Sequence, residues 1–218
     1  MPTDGKPRSR RRTSIGSRRN PETAAAVLAA ARELLVEKGY AGFSVEEVAR
    51  RAEAGKPTIY RWWPTKADLF VALYGAEKTA VIPVPDLGRV VDDLTRYTAS
   101  LWRFWRTNPA GGAFRGLIAE AQTSEAALAA LRVKFLPERL GPLRTIFARA
   151  VGRNELNAAD VEDRIALWVG FNWFRLLTAH IDDDAQAIMR TMEIIAGPQA
   201  IRPAATSAGP DKPGGSSR

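Results

Sequence analysis

The stretch GYAGFSVEEVARRAEAGKPTIYRWWPTKADLF, residues 39–70, decides the fold. At its centre, AGKPTIYRWWPTK (54–66) sets lysine, arginine, tyrosine and two tryptophans between Pro57 and the break at Pro64. A core helix has no use for the charges, and a solvated helix has none for three aromatic rings. The segment therefore calls for a partner that rewards both. A short helix is expected over 56–63, because Pro64 stops it.

The flanking residues frame that helix. Ser44 is a good N-cap, with Glu47 three residues on to complete a capping box, and Val45, Val48, Ala49 and Ala52 form an inner face. Upstream, Asn20-Pro21-Glu22 opens a helix with a cap, a proline in the first turn and a favourable acid. Ala24, Val27, Leu28, Ala31, Leu34 and Leu35 then recur at three- and four-residue spacing until Gly39 ends the run. Downstream, Thr65 caps a fourth helix carrying Leu69, Phe70, Leu73 and Tyr74. Three helices in about 45 residues, the second and third tightly joined, have the dimensions of a helix-turn-helix.

Such a helix reads bases from its N-terminal end and phosphates from its sides. Lys56 can donate to guanine O6 or N7, and the Thr58 methyl suits a thymine methyl. Pro57 sits in the first turn, where its missing N–H costs little. Tyr60 can donate to phosphate while its ring packs, and Arg61 reaches either target. Lys66 opens the next helix, where terminal amides and its own charge both favour an anion. Of the two tryptophans, Trp63 is expected in the core and Trp62 partly exposed.

On these residues the chain resembles the TetR family of bacterial transcriptional regulators. The matching features are Gly39-Tyr40, Ser44-Val45, Val48-Ala49, Thr58-Ile59-Tyr60 and Lys66. The resemblance implies an all-α protein with an N-terminal three-helix DNA-binding domain and a C-terminal helical domain for ligand binding and dimerisation. It implies phosphate contacts at Ser44, Tyr60 and Lys66. It places Lys56, Pro57, Thr58, Arg61 and Trp62 where bases or the neighbouring backbone approach. Three positions depart from the usual pattern: Glu53 replaces the common turn glycine, Gly55 a common serine, and Trp62-Trp63 a frequent His-Phe pair.

The charge distribution agrees. The formal net charge is +8, and residues 1–80 hold 15 Lys and Arg against 9 Asp and Glu. A cationic surplus in the N-terminal third points to a polyanionic partner, double-stranded DNA first. Residues 1–19 carry seven Lys and Arg and read as a disordered basic arm that adds phosphate or minor-groove contacts. Residues 198–218, rich in Pro, Gly, Ser and Ala, read as a disordered tail. The DNA-binding domain is then 20–79 and the ligand and dimerisation domain 80–197. No apolar run approaches the ~20 residues that span a bilayer, and the arm lacks the apolar segment of a signal peptide. A cytoplasmic protein without membrane partners is expected.

The second domain reads as helices over about 87–107, 113–121, from 124 onward, 158–180 and 184–195. Asn108-Pro109 and Gly111-Gly112 should break the chain, and Pro137 and Pro142 should kink or interrupt the long third segment. The run IALWVGFNWFRLL within 158–180 is apolar almost all round. Burial between its own core and a second subunit accounts for that, so 158–180 and 184–195 are the expected homodimer interface. The aromatics of this domain are mostly core at helical spacing, and the resemblance implies a pocket among them. Trp102, Trp105, Phe114, Phe147, Trp168, Phe171 and Phe174 are its candidate walls, suited to a small, largely apolar effector, with Arg103 or Arg175 as candidates for an anionic group.

No catalytic set emerges. The chain has no cysteine and a single histidine, His180, which excludes thiolate and His-His metal sites. Asp182-Asp183-Asp184 read as helix-capping acids rather than cation ligands. No cofactor, metal or enzymatic activity is expected. The function expected is a homodimeric repressor released from a palindromic operator by its effector. A constitutive DNA-binding protein and a helical enzyme are the alternatives.

Overall fold

A computed structural model describes residues 20–182 and 184–198. The expected arm and nearly all of the tail lie outside the described residues. Among those described, every regular element is helical.

The first four helices follow the sequence signals closely. Helix α1 (Pro21–Lys38) starts where Asn20 Oδ1 accepts the Glu22 N–H at 3.0 Å, and Val27, Ala31, Leu34 and Leu35 face the core. Gly39, at φ +62°, stops it in a conformation that suits a residue without Cβ. Helix α2 (Val45–Arg51) is capped by Ser44, whose hydroxyl accepts the Glu47 N–H at 3.2 Å. The reciprocal half of the expected capping box is replaced. Glu47 binds Arg50 at 2.7 and 2.9 Å and Arg51 at 3.1 Å, two charge-assisted partners that outcompete one backbone N–H. Helix α3 (Lys56–Trp62) ends at Trp63, one residue before Pro64. Helix α4 (Lys66–Val81) carries the complete box, Thr65 and Asp68 each accepting the other's N–H at 3.1 Å.

An extended segment then leads to α5 (Val90–Thr107), which starts later than expected. The delay has a cause: the segment is held by long-range bonds. Arg149 donates to the Pro85 carbonyl at 2.9 Å, the Leu87 N–H reaches Asp93 at 2.6 Å, and the Val90 N–H reaches Glu155 at 2.7 Å.

The expected breaks have different outcomes. Gly111-Gly112 lies inside α6 (Pro109–Ala121), which Asn108 caps. A Cβ at Gly111 would sit 2.4 Å from the Phe104 carbonyl oxygen, so the glycine marks a close backbone crossing of α5 and α6 rather than a break. After α7 (Glu125–Ala129) the chain widens into a π-helical stretch, Ala130–Phe135, and continues directly as α8 (Leu136–Gly152). Pro137 lies in the first turn of α8, so the expected interruption takes the form of the π-helical stretch just before it. Helix α8 continues through Pro142.

A 3-10 turn, Ala158–Asp160, precedes α9 (Val161–Leu177), and Asp184 caps α10 (Ala185–Ala196). Asp183 of the acidic triplet lies outside the described residues, while Asp182 pairs with Arg175 at 3.1 Å. Helix α5 is central to the body and packs against α6, α8 and α10. Helices α4 and α6 join head to body, since α6 packs on α1 and α4 as well as on α5.

Candidate nucleic-acid interface and buried cavity

The orientation of α3 follows from two anchors. Ile59 of α3 and Trp63 at its C-cap are buried, four residues apart, and hold the helix against α2. Lys56, Pro57, Tyr60 and Arg61 consequently lie on the exposed face, with Thr58 and Trp62 half-buried at its edges. Trp62 meets Trp63 edge to face, ring centroids 5.7 Å apart. The turn between α2 and α3 keeps its tight path although residue 53 is not glycine: Glu53 adopts φ +49°.

The charges around α3 are partly committed. The Tyr60 hydroxyl donates to Glu46 of α2, which holds the Glu46 carboxyl below its ordinary range and raises the phenol. Glu47, between two guanidiniums, is held down to about 2. Arg50 and Arg51 are thereby occupied by acids of the same head. Ser44 accepts a backbone N–H as a cap and keeps its own O–H for a further acceptor.

Lys66 departs from the expectation of a phosphate-facing cation. Its ammonium turns to the body, 3.4 Å from Glu120 of α6 and 4.2 Å from the centroid of the Tyr40 ring. An acid and an aromatic face together outweigh open solvent for a half-buried cation. Of the eight expected DNA-contact residues, six thus share α3, Ser44 opens α2, and Lys66 is held at the head–body junction.

The body contains a cavity of about 30 Å³ among α4, α5, α6, α8 and α9. Its walls are aromatic: Tyr74, Trp105, Phe114, Phe135 and Trp173. The Trp105 indole donates to the Tyr74 hydroxyl at 2.8 Å, and Phe114 stacks on Phe135 at 4.5 Å. Of the seven expected pocket residues, only Trp105 and Phe114 line this space. Phe147 is plain core. Trp102 and Trp168 are core residues whose indoles are satisfied by Asn172 at 2.7 Å and Thr98 at 2.9 Å. Phe171 stacks on Trp102 at 5.8 Å. Phe174 is 65% exposed on the outer side of α9, opposite the buried Trp168 and Asn172, and is corrected to a surface residue. Arg175 is engaged by Asp182 and by the Trp102 face, and Arg103 is exposed, so neither serves the cavity.

The cations that do line it, Lys78 and Arg139, escaped sequence reading. Lys78 left a signal, since it falls four residues after Tyr74 and eight after Phe70, on the apolar stripe of α4. Burial and the neighbouring Arg139 push it down to about 7.

Helices α9 and α10 leave large apolar side chains in solvent. Leu167, Phe174 and Leu177 of α9 and Met189 and Ile194 of α10 are exposed in the single chain. The all-round apolar character of α9 is therefore not consumed within one subunit. No described helix is long and apolar enough to cross a membrane.

Residues 27–73 match the family described as bacterial regulatory proteins, tetR family, and residues 84–195 match the tetracyclin repressor-like C-terminal domain. The chain is 33% identical over 163 residues to the HTH-type transcriptional regulator YdeS of Bacillus subtilis, covering 74% of this chain and 82% of the relative. It is 34% identical over 148 residues to the DNA-binding transcriptional repressor TetR of Mycobacteroides abscessus, covering 67% and 77%. A crystal structure of the TetR family transcription regulator SCO0332 superposes with a TM-score of 0.70 at 26% identity, covering 84% of this chain and 100% of that one.

Proposed function

The chain belongs to the TetR family of helix-turn-helix DNA-binding transcriptional regulators, and we propose on that premise that it is a homodimeric repressor released from a palindromic operator by a small, largely apolar molecule. The observation that carries the DNA-binding assignment to residues is the locking of α3 by Ile59 and Trp63, which leaves Lys56, Pro57, Tyr60 and Arg61 outward. Thr58 and Trp62 flank that row, and Ser44 stands at the start of α2.

Residues 20–79 form the DNA-binding head in this reading and 80–197 the ligand and dimerisation body. The exposed apolar residues of α9 and α10 support pairing of two copies through those helices. A two-fold dimer would place two copies of α3 in major grooves on one side of the DNA, so the operator half-sites lie about one helical turn, roughly 34–36 Å, or a multiple of it apart. The aromatic cavity supports the effector, and the name of the Mycobacteroides relative supports repression over activation. Action on DNA would place the protein in the cytoplasm.

One observation favours the alternative of a regulator without effector: the cavity holds about 30 Å³, little more than a water molecule needs. Fluorescence anisotropy on the DNA upstream of the protein's own gene, against scrambled DNA over a salt series, tests the proposal. Sequence-selective, salt-sensitive binding is expected. Equal, weak binding to both DNAs and to a genome-wide library of fragments would refute it.

A further inference from the structure

The cavity has the wrong charge for a purely apolar guest. Two basic side chains line it and no acid does, and Lys78, pushed down to about 7, keeps part of its charge at neutral pH. Buried charges are ordinarily paired, because desolvation is costly without a counter-charge. Lys78 is only 6% exposed, and its one hydrogen bond among the described residues runs to the Tyr97 hydroxyl at 2.6 Å. Burial raises the Tyr97 phenol, so that oxygen stays neutral and supplies no negative charge.

Arg139 is little better compensated. Its acid partner, Glu138 at 3.0 Å, is 64% exposed and so contributes little. Its Nε is buried without a hydrogen-bond partner among the described residues. The guanidinium lies 5.9 Å from the ring centroids of Tyr74 and Phe135.

Arg139 also borders a second space. On its outer side an open groove runs over small residues of α4, Ala72, Gly75, Ala76, Thr79 and Ala80, with Glu138 of α8 beside Arg139 at its wall. A Cβ at Gly75 would stand 2.0 Å from Arg139 Nη2, so the glycine is what admits the guanidinium there. One side chain therefore stands between an outside groove with a small-residue floor and an inner cavity that a single head group would fill.

We propose that this site binds an apolar carboxylate, its head group held between Lys78 and Arg139 and its body lying along the small-residue groove of α4. The proposal rests on the reading of this cavity as the effector site and narrows the effector from an apolar molecule to an apolar anion. A carboxylate there offers Lys78 the counter-charge that the cavity lining lacks, and offers Arg139 a more buried one than the exposed Glu138.

Isothermal titration calorimetry on the full chain, without DNA, tests it. The probes are hexanoate, decanoate and naphthalene-2-carboxylate, each against its own primary amide. At least one acid is expected to bind about tenfold or more tightly than its amide, the difference that one charge-assisted contact makes. Lys78→Met and Arg139→Met should each erase that preference while leaving amide binding in place. Arg139 borders the surface groove, so its variant keeps the test alive should Lys78→Met fail to fold. Equal binding of acids and amides, no binding by any probe, or an acid preference that survives both substitutions overturns the proposal. The regulator reading fails separately: an acid that binds in the calorimeter yet leaves operator affinity unchanged refutes the effector role and keeps the site.

Discussion

Lys66 and Glu120 are 54 positions apart in sequence and 3.4 Å apart in space, an ion pair across the junction of head and body. The same lysine lies over the Tyr40 ring, so the first turn of α4 is tied to both the turn after α1 and α6. A phosphate at the family's usual position would compete with Glu120 for this ammonium. Glu120→Gln should therefore raise affinity for all DNA by about two- to fivefold at low salt, given the modest worth of a part-exposed pair. Lys66→Ala should lower it for all sequences and flatten the salt slope by about one unit. Anisotropy titrations over a salt series measure both, and an unchanged slope in Lys66→Ala would remove Lys66 from the phosphate contacts.

Lys56 stands at the exposed N-terminal end of α3, the end that meets base edges in the proposed reading. Lys56→Ala should relax preference at one base pair of each half-site, costing about 1–3 kcal/mol on the preferred sequence and little on others. Binding selections on randomised DNA read this directly. Unchanged preference would mean that α3 enters the groove by another face.

Glu53 occupies a left-handed conformation at φ +49° in the turn that sets the angle between α2 and α3. An L side chain there costs about 1–2 kcal/mol, partly offset in glycine by its greater unfolded-state entropy. Glu53→Gly should stabilise the protein by about 1 kcal/mol, raising the thermal midpoint by about 2–4 °C for a chain of this size. Calorimetric melting checks it, with DNA affinity expected to hold.

Phe174 is a large apolar residue in solvent on a helix whose opposite face is core. If the proposed α9 pairing holds, Phe174→Glu should weaken the dimer by about 30-fold or more, as loss of an interface anchor does. Sedimentation at several concentrations would show a monomer where the wild type is a dimer. A wild-type monomer at all concentrations would exclude α9 as a pairing surface.

Lys78 titrates near 7 in the folded chain and at its ordinary, higher value when unfolded. Between these values the unfolded state binds the extra proton, so stability rises with pH from about 7 to about 10. The groups facing it are Tyr97, Tyr74 and Arg139; both phenols are raised by burial and stay neutral in this window. Lys78→Met should remove a rise of a few kcal/mol at most, with a slope of at most about 1.4 kcal/mol for each step of one in pH. Urea unfolding of both proteins at pH 7, 8 and 9 would reveal the difference, and parallel curves would contradict it.

The sequence by itself determined what acts within a few residues. Asn20, Ser44 and Thr65 cap their helices, Gly39 stops α1, and Ile59 in α3 and Trp63 at its C-cap are both buried, because each depends on neighbours no more than four positions away. Those local rules make the helix-turn-helix legible. The tertiary structure decided the rest. Gly111-Gly112 reads locally as a break, yet it lies within a helix, and at Gly111 the end of α5 comes too close for a Cβ. Phe174 and Trp168 are equally apolar, but only packing against α5 sends Trp168 inward and leaves Phe174 outside. The junction pair Lys66–Glu120 and the cavity pair Lys78 and Arg139 join residues more than fifty positions apart. Helical period says which side chains share a face. Only the packing of distant helices says what that face meets.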